Sequence, residues 1–283
     1  RQVRPRDPLE DGEPQPLPLN DASVAIAAVL GLVFGSFVGV LVARVPAGED
    51  VVRGRSRCDA CGRTLGFPDL VPVLSWVALR GRCRTCGDAV TPLWTVLELA
   101  SACLFALATL AAPDVASAVM LAPFLGVLLA LTVIDLRTLR LPDAIVFPTA
   151  GVAAVAIAVA DLLGGEPSIV GGLIGAIAFG GGMWTVYGLA NLAYRRKGQR
   201  AMGFGDVKLA ALIGLVVGSF DLGSVAVSAG ATILIGGAVG VVALARGAVR
   251  GTALPYGPML AAGAVVAVAA GPRIFDAYMG LFS

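Results

Sequence analysis

The chain has 283 residues, is 57% hydrophobic and only 14% charged, and its mean hydropathy is +0.87. Soluble domains carry roughly 25% charged residues, so this composition describes a polytopic membrane protein. Net charge is +2, histidine is absent and lysine occurs only at Lys197 and Lys208. That excludes a Ser-His or Cys-His nucleophile and leaves a Ser-Lys pair almost no lysine to use. Asp, Glu, Tyr and Cys remain for proton transfer or metal binding.

Residues 1–21 are rich in proline and charge, from Arg4-Pro5-Arg6-Asp7-Pro8 to Pro18, and read as a disordered tail. The long apolar run after them argues against a cleaved signal peptide. Apolar stretches of near-spanning length then fall at about 22–43, 93–112, 115–134, 144–163, 168–190, 207–220, 222–245 and 256–271. The expected fold is an all-α polytopic membrane protein of about eight transmembrane helices, with a small cytoplasmic zinc-ribbon-like domain at 44–92. Glycines inside the spans, such as Gly171-Gly172 and Gly180-Gly181-Gly182, read as close-packing positions. No strand precedes them, so none reads as a nucleotide loop, and no nucleic-acid partner is expected.

Positive charge sets the topology. Segment 44–92 carries eight arginines, and the connections 135–143, 191–208 and 246–255 are also basic. The intervening connections, with Asp114, Asp161, Glu166 and Asp221, are acidic. Basic connections therefore alternate and share the cytoplasmic side, with both termini extracytoplasmic. Asp135, Asp206 and Lys208 all fall at cytoplasmic ends of spans.

The 44–92 segment holds Cys58-Asp59-Ala60-Cys61 and Cys83-Arg84-Thr85-Cys86, two C-x2-C pairs 21 residues apart. This spacing is close to that of a four-thiolate zinc site, which is saturated and therefore structural. Gly62 and Gly87 follow each pair and suit the positive φ of such turns. Cytosolic placement argues against disulfides. Cys103 stands alone in a span and reads as packing.

Asp135 closes one apolar run and Asp206 opens another. Carboxylates at such places are expensive and mark function. At a helix C-terminus Asp135 is opposed by the dipole. Gly203 and Gly205 are expected to permit a tight bend beside Asp206. Two acids in a partly dry site share a proton and titrate as a unit, as in aspartic proteases. Lys208 and Arg137 could tune the pair, bind substrate or serve as membrane-side anchors. Pro142 and Asp143 read as the start of the next helix.

These residues resemble the type IV prepilin peptidases, GxGD-type membrane aspartic proteases that are often also N-methyltransferases. The likeness runs from about 31 to 263. It rests on Gly35-Ser36-Phe37 with Arg44-Val45-Pro46, and on Ser56-Arg57-Cys58 through Leu74-Ser75-Trp76 to Cys86. It continues in Ile134-Asp135 through Leu141-Pro142-Asp143, in Gly203-Phe204-Gly205-Asp206-Val207-Lys208, and in Pro255-Tyr256-Gly257-Pro258-Met259. The resemblance implies that Asp135 and Asp206 are catalytic, supported by Gly203, Gly205 and Lys208, and that 93–283 is a seven-helix peptidase domain. It implies removal of a short basic leader after glycine from prepilins or pseudopilins, on the cytoplasmic face of a bacterial inner membrane. The new amino terminus would be methylated with S-adenosylmethionine, while Cys58, Cys61, Cys83 and Cys86 hold Zn2+. No separate signature marks the methyl-donor site; Glu49, Asp50 and Glu98 are possible contributors that also suit solvated or helix-packing roles. The chain departs from the family pattern at Gly39, Asp59 and Leu70-Val71-Pro72, in the region tied to methyl transfer. Two other readings compete: a transporter with Asp135 and Asp206 as a proton or ion relay, and a zinc-ribbon scaffold without catalysis.

Overall fold

The computed structural model describes residues 19–194, 202–247 and 254–282. Most of the Pro-rich tail lies outside the described residues, as do Arg195, Arg196, Lys197, Arg200 and Arg250. The described helices are α1 (Asp21–Arg44), α2 (Leu74–Ala78), α3 (Leu93–Ala111), α4 (Val115–Thr138), α5 (Asp143–Leu162), α6 (Ile169–Tyr194), α7 (Phe204–Phe220), α8 (Leu222–Ala245) and α9 (Gly257–Met279). Among the described residues the only pairing of β type is two isolated bridges, Arg57–Thr64 and Arg82–Ala89. Seven of these helices are long and apolar enough to cross a membrane. The eighth long apolar helix is α7, which has 17 residues.

Local sequence explains the helix starts. Asn20 caps α1 by accepting the Ser23 N–H, and Ser23 reciprocates toward the Asn20 N–H. Asp114 accepts from the Ser117 N–H at the head of α4. Asp221, the one residue between α7 and α8, accepts from the N–H groups of Gly223 and Ser224. These side chains satisfy amide groups that a helix start leaves without partners.

Several boundaries differ from the hydropathy reading: α6 runs on to Tyr194 and α9 to Met279, and two differences bear on the acids. Helix α4 continues past Asp135 to Thr138, and α7 begins at Phe204, so that Asp206 sits in its first turn. Charged residues depress hydropathy there, but a helix can carry them in its end turns, and the N-terminal dipole favours Asp206. The expected bend at Gly205 is absent: Gly205 is helical and Gly203 has an ordinary φ of −83°. What Gly205 provides is closeness, since a Cβ there would lie 2.9 Å from the Leu141 Cβ.

Helices α4 and α7 form the buried centre. Leu125, Leu131, Leu209 and Ile213 are inaccessible to solvent. Around them, α1 packs on α3 and α4, α6 on α7, and α8 on α9. Small residues set these seams, as expected where lipid gives helices no hydrophobic reason to associate. Gly171 and Gly175 of α6 face the backbone of Gly218 and Gly214 on α7. Gly31 and Gly35 of α1 meet the backbone of α3 at Ser101 and Glu98.

Contacts among the basic connections gather them on one side. Arg137 lies 5.9 Å over the Trp94 ring, Lys208 binds Asp143, and the Gly257 N–H binds Asp135. The four-cysteine segment joins the same side through the Val73 N–H, which donates to Glu98 at 2.8 Å.

The α6–α7 seam gives a direct test. Gly214→Val would drive a branched side chain into the α6 backbone, an overpacking effect of about 1–3 kcal/mol. It should lower the thermal unfolding midpoint in detergent by several degrees. Gly182→Val, on the same seam's open flank with nothing within 4 Å of a new Cβ, should leave the midpoint unchanged.

Candidate active site

Asp135 lies in the last turn of α4 and is 4% exposed; Asp206 lies in the first turn of α7 and is 8% exposed. Far apart in sequence, the two carboxylates stand close enough for their charges to interact directly. Helices α5 and α9 each pack on both α4 and α7, and this shared packing brings the end of one and the start of the other to the same side. Burial strengthens the interaction, because little water screens it.

Asp135 is held by the backbone. Its Oδ2 accepts the Gly257 N–H at 2.9 Å. Gly257 is the first residue of α9 and is followed by Pro258. A helix start has free amide groups to offer, and Pro258 has none to waste. The position requires glycine, since a Cβ would lie 2.8 Å from Asp135 Oδ2. Tyr256, just before it, is within electrostatic reach of Asp206. Neither Gly257 nor Tyr256 had an assigned role in the sequence reading. The available signal was a glycine-proline pair at the mouth of the last span.

Lys208 turns away from the acid pair. Its Nζ donates to both oxygens of Asp143 at 2.7 and 2.8 Å. It also lies 5.0 Å from the Phe147 ring and 5.4 Å from the Phe204 ring. This ion pair ties α5 to α7 beside the acids, and its exposed carboxylate makes it a weak fastener. Arg137, two residues beyond Asp135, rests on Trp94 instead of on either aspartate.

The four cysteines converge. All their sulfurs lie within 4.8 Å of one another, and Cys58 Sγ is 3.9 Å from Cys86 Sγ. The two knuckles repeat one design. Cys58 and Cys83 donate their N–H groups to Arg63 and Asp88 carbonyls, and Gly62 and Gly87 donate back to Cys58 and Cys83. Both glycines have positive φ, +68° and +73°, as the turn requires. The N–H groups of Cys86 and Thr85 hold the Cys83 thiol down to about 6. Cys86 receives the Asp88 N–H, yet the crowding of Cys83 and the other sulfurs pushes it up to about 12. One thiolate is therefore accommodated by the backbone, and further ones need a cation among them. Asp69 fastens the two knuckles together, accepting from Arg63 at 2.7 Å, from Arg84 at 2.9 Å and from the Gly66 N–H. Arg84 foremost, with Gly66 and Arg63, holds the Asp69 carboxyl below its usual range. Cys103 is exposed on α3, away from this cluster.

A cavity of about 950 Å³ lies between α1, α3 and the cysteine segment. Ser36, Gly39, Arg44, Glu49, Asp50, Trp76, Trp94 and Glu98 are among its walls. Gly39 leaves room for Trp94, whose ring would lie 3.3 Å from a Cβ there. The size and mixed lining suit a small organic molecule.

Comparison with known proteins gives two family matches. Residues 29–112 match the Bacterial Peptidase A24 N-terminal domain, and residues 122–245 match the Type IV leader peptidase family. A prepilin leader peptidase/N-methyltransferase of Burkholderia pseudomallei is 35% identical over 268 residues, covering 85% of this chain and 83% of that protein. One from Pseudomonas putida is 32% identical, covering 91% and 94%. One from Bacillus subtilis is 30% identical, covering 90% and 98%. No solved structure matches the chain.

The fastening by Asp69 is open to a stability test. Asp69→Ala removes both arginine contacts and the Gly66 bond, so the arginine-rich segment should open more often. Limited trypsin digestion in detergent should then cut it roughly tenfold faster than in the wild type. Equal rates would show that the cysteine cluster alone holds the segment.

Proposed function

The chain belongs to the type IV leader peptidase family, and we propose that Asp135 and Asp206 are the carboxylates with which it cuts prepilin-like substrates. It is an aspartic-type prepilin leader peptidase of the membrane that also N-methylates its product. The observation that supports the site is the approach of two buried acids from α4 and α7, in a chain without histidine and with Lys208 held on Asp143. The relay reading draws no support from these relatives.

The chemistry follows from the pair. Two buried acids within electrostatic reach titrate as a unit, with one of them protonated. The ionised member takes a proton from water as that water attacks the scissile carbonyl carbon. The protonated member donates a hydrogen bond to the carbonyl oxygen and stabilises the charge that grows there. Collapse of the tetrahedral intermediate breaks the carbon–nitrogen bond, and a proton from the dyad goes to the leaving amine. The Gly257 N–H fixes Asp135 in one orientation throughout. We assign the scissile bond to the glycine that ends a short basic leader, on the cytoplasmic face of the bacterial inner membrane. Arg137 and Arg140 at the end of α4 and Lys208 at the start of α7 support that orientation.

Zinc suits the cysteine cluster. Zinc–sulfur bonds of about 2.3 Å in a tetrahedron put sulfurs about 3.8 Å apart, near the observed 3.9 Å for Cys58 and Cys86. Four thiolates would close the coordination sphere, so the ion would serve to join the two knuckles of the segment. The methyl donor, S-adenosylmethionine, supplies an activated methyl group when bound. The cavity fits it: Trp76 and Trp94 offer flat faces, and Glu49 and Asp50 offer acceptors for hydroxyl and ammonium groups.

Intact-mass analysis of a purified prepilin, incubated with detergent-solubilised enzyme and S-adenosylmethionine, tests the assignment. Asp135→Asn and Asp206→Asn should each lower leader removal by roughly 10³-fold or more. Retained cleavage in either variant would remove that acid from the mechanism. Gly257→Ala should fold and cleave roughly 10–100-fold more slowly, because it displaces a carboxylate that must be placed to within an ångström. Elemental analysis should find one zinc per chain, absent in Cys58→Ser.

A further inference from the structure

We infer that Glu98 receives the α-ammonium group of the trimmed substrate and prepares it for methylation, within the cavity between α1, α3 and the cysteine segment. The inference rests on the reading that this chain methylates its product; it adds where the amine binds and which side chain takes its proton.

Glu98 is a buried acid that peptide cleavage leaves unused. It is 9% exposed and stands in the wall of the 950 Å³ cavity. Its oxygens meet the Val73 N–H at 2.8 Å and the Ser36 hydroxyl. Among the described residues no lysine or arginine pairs with it. Arg44, the arginine of α1 in the same cavity, spends its Nη1 on the carbonyls of Asp50, Val51 and Gly54. A buried carboxylate lacking a cation is expensive unless a ligand supplies one. The cavity beside it has room for that ligand.

The depth also agrees. Hydrolysis of a peptide bond at Asp135 and Asp206 releases a new amine at their level. Asp206 is the third residue of α7, Asp135 the fourth from the end of α4, and Glu98 the sixth of α3. At about 1.5 Å per residue, all three lie within roughly two turns of the same side. The ends of α3 and α4 touch, with Arg137 stacked on Trp94, one turn above Glu98. The amine therefore has a short path from the acid pair along α4 to α3. Of the cavity's acids, Glu49 and Asp50 lie on the exposed rim, whereas Glu98 alone among them belongs to a long apolar helix. It is the one placed to meet an amine carried on a chain that remains in the membrane.

The chemistry balances. A primary ammonium has no lone pair, so it must lose a proton before it can attack carbon. Glu98 as a carboxylate accepts that proton and becomes the carboxylic acid. The nitrogen lone pair then forms a bond to the methyl carbon as the carbon–sulfur bond breaks, its electron pair staying on sulfur. The sulfonium becomes a neutral thioether, and the product is a methylated ammonium. Glu98 returns its proton to water through the open cavity.

The test uses Glu98→Gln and Glu98→Asp in the full chain. Glutamine keeps an oxygen for the Val73 N–H and removes the charge. Three readouts separate the possibilities: leader removal by intact mass, equilibrium dialysis of radiolabelled S-adenosylmethionine, and methylation of a synthetic peptide bearing the free trimmed amino terminus. Leader removal should match the wild type in both variants, which certifies the fold, and donor affinity should stay within about twofold. Methylation kcat/KM should fall roughly 100-fold in Glu98→Gln and about tenfold or less in Glu98→Asp. A free α-amine titrates near 7.7–8.0, so the Glu98→Gln deficit should shrink as pH rises from 6.5 toward 7.5 and the amine loses its proton unassisted. Methylation by Glu98→Gln at the wild-type rate overturns the inference. Loss of donor binding together with methylation also overturns it, because Glu98 would then hold the donor. A wild type that trims but adds no methyl would sink the methyltransferase reading itself, a result distinct from either variant outcome.

Discussion

A carboxylate set among apolar helices must be given a donor, and the Gly257 N–H supplies one to Asp135. Much of the structure follows from that bond. It pins the start of α9 to the end of α4. Gly263 and Gly271 then carry α9 against Thr232 and Ser224 of α8, while α4 leans on α1 and α3. The bond serves both partners, because an N–H at a helix start otherwise lacks an acceptor and a buried oxygen otherwise lacks a donor. A glycine is required, and the aspartate needs a neighbour with no side chain as much as it needs the hydrogen.

Much of the architecture was legible in the sequence because lipid imposes a simple rule: backbone groups satisfied within helices, apolar side chains outside. The number of long helices, the alternation of basic connections and the cysteine knuckles all follow from composition and spacing. The ends of α4 and α7 were less legible. Hydropathy falls where Asp135, Arg137, Asp206 and Lys208 enter, although the helices continue through them. Gly205 was misread for a related reason. Its conformational freedom is visible in sequence, but the neighbour it makes room for, Leu141, is not. The partnership of Gly257 with Asp135 spans 122 positions and works through a backbone atom, which no residue type announces.

The membrane helices and the cysteine segment meet through few polar contacts, each with a definite geometry. Val73 has a φ of +60°, an uncommon conformation for a branched residue. Its N–H is nevertheless turned toward Glu98. Gly35 lets α1 approach α3 at that same turn, so the seam that packs two membrane helices also shapes the floor of the cavity. Packing and chemistry share residues here, which explains why small side chains crowd the regions nearest the acids.

The shortness of α7 has a consequence of its own. Seventeen residues span about 25 Å, against about 30 Å of hydrocarbon. Nearly every residue of α7 from Asp206 to Ser219 is covered by its neighbours, so the deficit is not met by stretching or thinning lipid. It is met by protein: α5, α6, α8 and α9 pack on α7, so lipid meets those helices in its place. A carboxylate can therefore sit in the first turn of α7 without facing hydrocarbon.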